Sequence, residues 1–110
     1  MGTFVKGEVV VLPFPFSDLS GSKKRPALII AALTGDDIVL CQITSEARTD
    51  EYAIILSGVD FKAGRLQVES IIRPNRIFTA DKSIISYKIG SLKESKMHDV
   101  EGRLKLIFGL

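Results

Sequence analysis

Short apolar runs rich in Val, Ile and Leu recur along the whole chain, and clusters of Gly, Pro, Asp and Ser separate them. Runs of this length with many β-branched residues are typical of strands. The predicted strands are 8–12, 27–32, 38–43, 52–56, 66–72, 77–79 and 84–89. The segment 27–32 is apolar throughout, so we expect both of its faces to be covered. A tight turn at Thr34-Gly35-Asp36-Asp37 predicts that the second and third strands form an antiparallel hairpin.

The C-terminal segment changes to helical periodicity. Met97, Val100, Leu104 and Ile107 follow one another at spacings of 3, 4 and 3, with Phe108 next, which predicts one apolar face of an α-helix. Ser91 with Glu94 predicts a capping box at the start of this helix. Many short strands with one terminal helix predict a mostly β fold, a small bent barrel with the helix packed on it.

The size and composition of the chain predict a single domain over residues 1–110. Apolar residues make up 45% of the chain and charged residues 25%, so a core without disulfides or a structural metal is expected. The apolar runs are too short to cross a bilayer, and the N-terminus lacks the features of a signal peptide. Cys41 is the single cysteine and has no internal partner for a disulfide, so a cytoplasmic location without membrane association is expected.

Few enzyme classes fit the polar residues of this chain. It has one histidine, no Cys/His/Asp cluster with metal-ligand spacing, no Walker loop and no Gly-rich dinucleotide fingerprint. We therefore expect neither a metal nor a cofactor. The net charge is only +2, but Lys23, Lys24 and Arg25 form a basic triplet that suits a polyanion as well as it suits a solvated surface.

Two polar stations lie at the ends of neighbouring strands. Arg25 enters the second strand, and Pro26 restricts its backbone to an extended form. Thr44 and Ser45 end the third strand and offer two adjacent hydroxyls. Because Arg25 lies 10 residues before Gly35 and Thr44 lies 9 after it, an antiparallel hairpin is expected to bring the two close together. Taken alone, each station also fits a structural role, as a rim arginine and as a turn cap.

At these stations, and over nearly its whole length, the chain resembles the MazF/PemK family of toxin endoribonucleases. The matching segments are KGEVV at 6–10, PFPFSDLSGSKK at 13–24, RPALII at 25–30, CQITS at 41–45, SIIRPNRIFT at 70–79 and KIGSL at 88–92. The first loop, the Arg-Pro strand and the Ile-Thr-Ser strand end are specific in combination, although each is weak alone.

The resemblance implies an SH3-like barrel, a homodimer, and metal-independent, sequence-specific cleavage of single-stranded RNA such as mRNA. It also implies a cognate antitoxin protein as partner. The catalytic arginine and threonine of the family fall on Arg25 and Thr44. The family usually has glutamine where this chain has Glu46, and a carboxylate there is expected to alter cleavage rate or sequence preference.

Substrate contacts are expected from the first loop, the end of the third strand and the basic segment that follows residue 69. The predicted substrate-binding residues are Phe16, Ser17, Lys23, Lys24, Ser45, Ser70 and Arg73. For Phe14 and Phe16, two roles stay open, either stacking on unpaired bases or closing the barrel mouth from inside.

Two rival functions remain at this stage. A gyrase-inhibiting toxin of the CcdB kind is expected to carry a tryptophan near its C-terminus, and this chain has none. A non-catalytic SH3-like interaction domain is expected to cleave no RNA and to tolerate the loss of Arg25.

Overall fold

The computed structural model describes residues 3–14, 23–46 and 50–110. Within these residues the apolar runs form strands of one antiparallel sheet. The strands are β1 (Glu8–Phe14), β2 (Lys23–Ala32), β3 (Asp37–Thr44), β4 (Ile54–Leu56), β5 (Phe61–Gly64), β6 (Ser70–Asp81) and β7 (Tyr87–Leu92). Two short 3-10 helices, Gly58–Asp60 and Lys82–Ile84, and one α-helix, α1 (Glu94–Phe108), complete the described elements.

The predicted hairpin lies at the centre of the sheet, whose strand order is β4-β6-β3-β2-β1-β7-β5. Strands β2 and β3 pair antiparallel from Ala27 opposite Gln42 to Ala32 opposite Ile38. Gly35 takes a φ of +90°, a left-handed conformation that glycine adopts without the penalty of a Cβ. The sheet curls into a half-barrel, which confirms the mostly β fold with one C-terminal helix.

Apolar side chains cover both faces of the central strands. Val9, Leu28 and Cys41 belong to the larger buried cluster, which includes Met97 and Val100 of α1. Their sequence neighbours Val10, Ala27 and Leu40 belong to a second cluster. Alternate residues of one strand therefore enter different clusters, as the period of two in a strand requires. Full burial of each large aliphatic side chain contributes about 1.5–3 kcal/mol to folding, so both clusters stabilise the hairpin.

Strand β6 differs from the prediction, which placed two separate strands around Pro74. The strand instead runs from Ser70 to Asp81, and its pairing with β3 shifts between Cys41 opposite Ile77 and Gln42 opposite Arg73. Pro74 lies in this irregularity, where the ladder does not require its missing N–H. A bulge therefore accommodates the proline that was expected to end the strand.

The predicted capping box was also wrong. Ser91 pairs with Glu8 as part of β7, and α1 begins after Lys93, which makes no side-chain capping bond. Met97 and Val100 of the predicted helical face are buried, whereas Phe108 is exposed. Because Ser91 is paired with β1 as part of β7, it does not cap the helix.

Strand β5 was not predicted, because its residues read as a glycine-containing loop. It pairs with β7 and places Gly64 opposite Gly90. A Cβ on Gly64 would overlap the carbonyl oxygen of Ile89, and one on Gly90 would overlap that of Ala63. The close approach of the two strands depends on glycine at both positions.

Within the described part of the chain, none of the helices is both long enough and apolar enough to cross a bilayer.

Candidate functional site

A cavity of about 490 Å³ lies at the open end of the β2–β3 hairpin, and another cavity of the protein has a volume of about 370 Å³. Either would hold only part of a larger ligand. Residues of β2, of the end of β3, of the β5–β6 connection and of β7 surround the larger cavity. Its polar and charged lining residues are Lys24, Arg25, Thr44, Ser45, Arg65, Gln67, Ser70 and Tyr87. Five of the nine residues predicted for catalysis or substrate binding thus share one cavity.

Arg25 and Thr44 reach this cavity through the register of the hairpin. Ala27 lies opposite Gln42, and the same register continued by two residues sets Arg25 opposite Thr44. Arg25 is also paired with Leu12 of β1, and Thr44 with Ile71 of β6. Each of the two residues is therefore fixed by a second neighbouring strand, on the side of its own strand that faces away from the other residue. The expected juxtaposition of the two stations is therefore present.

The Arg25 guanidinium is partly desolvated and incompletely satisfied. Its side chain is half-buried, and its Nε is a buried donor that finds no hydrogen-bond partner among residues 3–14, 23–46 and 50–110. An unsatisfied buried donor costs about 1–3 kcal/mol, and more on a charged group. An anion that accepted a hydrogen bond from this nitrogen would remove that cost.

Thr44 is held in a defined orientation by the turn that follows it. Its side chain is buried, with 6% of the residue surface exposed. The backbone N–H of Glu46 donates to Thr44 Oγ1 at 3.1 Å. The hydroxyl thus serves as a turn cap through its oxygen, and its own hydrogen remains to be donated to a second acceptor.

The lining of the cavity carries positive charge only. Lys24, Arg25 and Arg65 contribute three cations, and the described lining residues include no Asp or Glu. Glu46 is exposed and lies just beyond Ser45, outside the lining. Clustered cations around an apolar floor favour a phosphate-bearing ligand.

The remaining predicted residues have different surroundings. Ser70 is buried at the cavity wall, and its hydroxyl donates to the Val68 carbonyl at 3.1 Å. Lys23 is exposed opposite Phe14 and does not line the cavity. Phe16 and Ser17 lie outside the described residues. Phe14 itself is 1% exposed and packs edge-on against Phe78, with ring centroids 5.0 Å apart, so it plugs the core and is not an exposed stacking platform.

Arg73, predicted to bind substrate, forms an ion pair with Asp50 and is not among the residues that line this cavity. Its Nη2 lies 3.2 Å from Asp50 Oδ2, and its Nε donates to the same oxygen. Both side chains are largely buried. The N–H of Tyr52 and the Arg73 guanidinium lower the pKa of Asp50 below its usual range. Arg73 therefore anchors the segment after Thr44 to β6.

Three polar lining residues lie outside the predicted set of site residues: Arg65, Gln67 and Tyr87. The first two follow β5, whose existence depends on the Gly64–Gly90 approach and was not visible as a pattern. Tyr87 begins β7 and is 57% exposed. An exposed aromatic residue beside a basic residue is a signal that sequence reasoning can use for nucleic-acid binding, but only once the two are known to be neighbours.

Thiol chemistry at Cys41 and metal binding are the two other routes to catalysis that the described residues could offer. Burial raises the pKa of the Cys41 thiol to about 12, so it stays protonated and is a poor nucleophile. Among residues 3–14, 23–46 and 50–110, no three His, Cys, Asp or Glu side chains form a group able to hold a metal ion.

Solved structures with the same fold are MazF toxins and related endoribonucleases. An endoribonuclease from a mycobacterial species, in complex with its cognate antitoxin, superposes with a TM-score of 0.79 at 17% identity, covering 98% of this chain and 97% of that one. MazF from Deinococcus radiodurans gives a TM-score of 0.78 at 20% identity, with both chains fully covered. The MazE–MazF complex of the same organism gives 0.79 at 20% identity, covering 100% of this chain and 99% of the other. At these identities the likeness establishes the fold.

No curated protein sequence matches the chain significantly. A family model does match, and it spans residues 5–108. The model describes PemK-like, MazF-like toxins of type II toxin–antitoxin systems. Because the match covers almost all of the sequence, it includes every strand that builds the cavity as well as the terminal helix. The chain therefore belongs to the PemK-like, MazF-like family of type II toxins.

Proposed function

We propose that this protein is a toxin that cleaves single-stranded RNA, including mRNA, at specific sequences without a metal ion. The observation that carries the proposal is the half-buried Arg25, whose Nε has no partner among the described residues, beside Thr44 in a cavity whose described charged lining residues are all cations. This arrangement suits a phosphodiester whose charge increases during reaction.

The substrate supplies its own nucleophile in this reaction. The ribose 2′-oxygen attacks the adjacent phosphorus and loses its proton to solvent water, the bond from phosphorus to the 5′-oxygen breaks, and the leaving oxygen takes up a proton, so that the net reaction moves one proton from the 2′-oxygen to the 5′-oxygen. The products are a 2′,3′-cyclic phosphate and a 5′-hydroxyl end. The protein has to position the groups and stabilise the pentacoordinate phosphorane, so no activated serine or cysteine is required.

Arg25 has the properties needed to stabilise the phosphorane. Its guanidinium stays charged at neutral pH and offers parallel N–H donors to two non-bridging oxygens. A guanidinium can also give a proton to the 5′-oxygen as it leaves, because that alkoxide is itself strongly basic. Binding of the substrate would satisfy the buried Nε, which has no partner in the described part of the free protein.

Thr44 supplies a second, neutral donor. Because its oxygen already accepts the Glu46 N–H, the hydroxyl hydrogen is directed to a phosphoryl oxygen. Ser45, exposed at the same rim, adds a further donor. Lys24 and Arg65 contact neighbouring phosphates, so substrate binding is expected to weaken as salt concentration rises.

The proposal includes the usual context of such a toxin. The protein acts in the cytoplasm as a homodimer, and a cognate antitoxin inhibits it. Complexes of the MazE–MazF kind among proteins of this fold support the antitoxin. An antitoxin segment with acidic residues would complement the cations of the cavity and exclude RNA.

The test is to incubate purified protein with a long RNA in EDTA and to map the cuts and their ends. We expect cleavage at a short recurrent sequence, with cyclic-phosphate 3′ ends. Arg25→Ala is expected to reduce the rate by at least about 100-fold. Arg103→Ala is a matched control on the exposed face of α1, and it should leave the rate unchanged.

Intact RNA after prolonged incubation would contradict the proposal. A parallel DNA supercoiling assay then separates the two rivals, since a gyrase inhibitor changes the topology of the plasmid and a simple interaction domain does not.

A further inference from the structure

A second cavity, of about 340 Å³, lies beside the first along strand β3. Phe14, Ile77 and Phe78 form its apolar part, and Gln42, Asn75 and Arg76 form its polar rim. A planar aromatic ligand with polar edges fits such a lining, because one face meets the half-buried Ile77 and Phe78 in front of the buried Phe14 and its edges meet hydrogen-bonding groups.

The polar rim presents a defined set of donors and acceptors. Arg76 Nε donates to Gln42 Oε1 at 3.4 Å, a long and exposed bond that uses one of the five guanidinium donors. The Gln42 amide nitrogen is left as a donor. Asn75 is exposed at the same rim, and its side-chain amide offers one carbonyl acceptor and one amino donor.

The bulge in β6 is what produces this rim. Arg73, at the start of the bulge, is fixed by its ion pair with Asp50. The chain between the Gln42–Arg73 and Cys41–Ile77 pairs therefore leaves the ladder and carries Asn75 and Arg76 to the cavity edge. The ion pair thus fixes Arg73, the residue after which the chain leaves the ladder toward Asn75 and Arg76.

The second cavity lies within one nucleotide of the first. Gln42 precedes Thr44 by two residues and projects from the same side of β3, so their Cα atoms are about 7 Å apart along the strand. A nucleotide chain whose scissile phosphate lies at Arg25 and Thr44 therefore places an adjacent base at Gln42 and Arg76.

We propose that this second cavity binds a guanine base next to the scissile phosphate and so contributes to the sequence preference of the enzyme. The proposal rests on the proposed RNA cleavage. The O6 and N7 acceptors of guanine match the Arg76 fork, and its N1–H and N2–H donors match Asn75 Oδ1. Adenine would place its N6 amino donor against the donors of Arg76, and a pyrimidine lacks the N7 acceptor.

The experiment compares short RNAs that differ only at the base beside the cut. Guanine at that position is replaced by adenine, by 7-deazaguanine, which lacks N7, or by inosine, which lacks the N2 amino group. For the wild-type protein we expect kcat/KM to fall about 5- to 150-fold with adenine, the range of one bidentate contact. Each single-atom analogue is expected to give part of that loss.

Arg76→Ala is expected to remove most of this discrimination, by slowing cleavage of the guanine substrate while the adenine substrate changes little. Gln42→Ala is expected to have a smaller effect in the same direction. Arg103→Ala, the exposed control on α1, should keep the full preference. If Arg76→Ala does not fold, Arg76→Lys keeps the charge without the planar fork and is expected to lose the preference as well.

The outcomes separate this inference from the proposed function. Cleavage by the wild type with no guanine preference next to the cut, or an unchanged preference in Arg76→Lys, would overturn the base assignment and leave the nuclease intact. If the wild type cleaves no RNA, the proposed function fails. Binding of RNAs with a 2′-deoxy scissile residue then still tests the cavity, and equal affinity for guanine and adenine would overturn it.

Discussion

Replacing Arg25 with Met is expected to separate stability from activity. Met keeps an unbranched apolar stem that can pack against Leu12, the β1 partner of Arg25, but it has neither a charge nor a donor. The buried Arg25 Nε has no partner within the described ranges of the free protein, and such a donor costs about 1–3 kcal/mol. We therefore expect the variant to be at least as stable as the wild type, and up to about 3 kcal/mol more stable.

The same substitution removes the main stabilising charge from the proposed transition state. Loss of one preorganised donor typically lowers the rate by at least about 100-fold. Urea denaturation at neutral pH gives the free energy of unfolding, and cleavage of a fluorescent RNA gives kcat/KM on the same preparation. Each 1 kcal/mol corresponds to roughly 4–8 °C in Tm for a domain of this size, so melting curves provide a second measure.

An anion supplies an independent check. Inorganic phosphate is expected to raise the Tm of the wild type and to raise that of Arg25→Met less, because the variant keeps Lys24 and Arg65 but lacks the guanidinium. A variant destabilised by more than about 1 kcal/mol would mean that the guanidinium supports the fold. A variant with unchanged kcat/KM would remove Arg25 from the catalytic site.

Three further substitutions test other parts of the structure. Glu46→Gln is expected to raise kcat/KM up to about 5-fold at low salt, because it removes a negative charge that repels RNA. A unit charge about 4 Å from another is worth about 1 kcal/mol in water. Equal rates at low and high salt would argue against this repulsion. The lowered pKa of Asp50 means that its ionised form stabilises the fold above roughly pH 4 and that this contribution is lost as pH falls through the native pKa. Asp50→Asn is therefore expected to lose about 1.5–3 kcal/mol at pH 7 and to show a weaker dependence on acid in urea denaturation, whereas an unchanged acid profile would place the pH sensitivity elsewhere. Gly90→Ala is expected to cost more than about 2 kcal/mol through its overlap with Ala63, and a variant of wild-type Tm would contradict the close approach of β5 and β7.

The hairpin and the helix were predictable because their signals are local. The turn at Gly35 starts the hairpin by pairing Ala32 with Ile38, and an irregularity between Ile29 and Ala31 then shifts the pairing by one residue. With that shift, which was not predicted, the register brings Arg25 opposite Thr44. The spacing of Met97 and Val100 likewise predicts the buried face of α1. In these places short-range pattern and tertiary packing agree, so the sequence interpretation and the structure coincide.

The differences arise where distant partners decide the local structure. Pro74 ends a strand in isolation, but the bulge opposite β3 accommodates it. Ser91 has the spacing of a cap, but pairing with Glu8 draws it into β7. The sequence alone indicates an unpaired cation at Arg73, whereas in the structure Asp50, 23 residues earlier, forms an ion pair with it. None of these partners lies within the window of a periodicity argument.

The paired glycines of β5 and β7 have a consequence for how the cavity can vary. Residues 65–68 follow Gly64 directly and line the opening together with Tyr87 and Ile89. Substitutions within 65–68 can therefore change the shape of the opening, because the contact between β5 and β7 at Gly64 and Gly90 requires no side chain. One added methyl group at either glycine would instead shift that whole side of the opening, and with it every contact that a bound strand makes there.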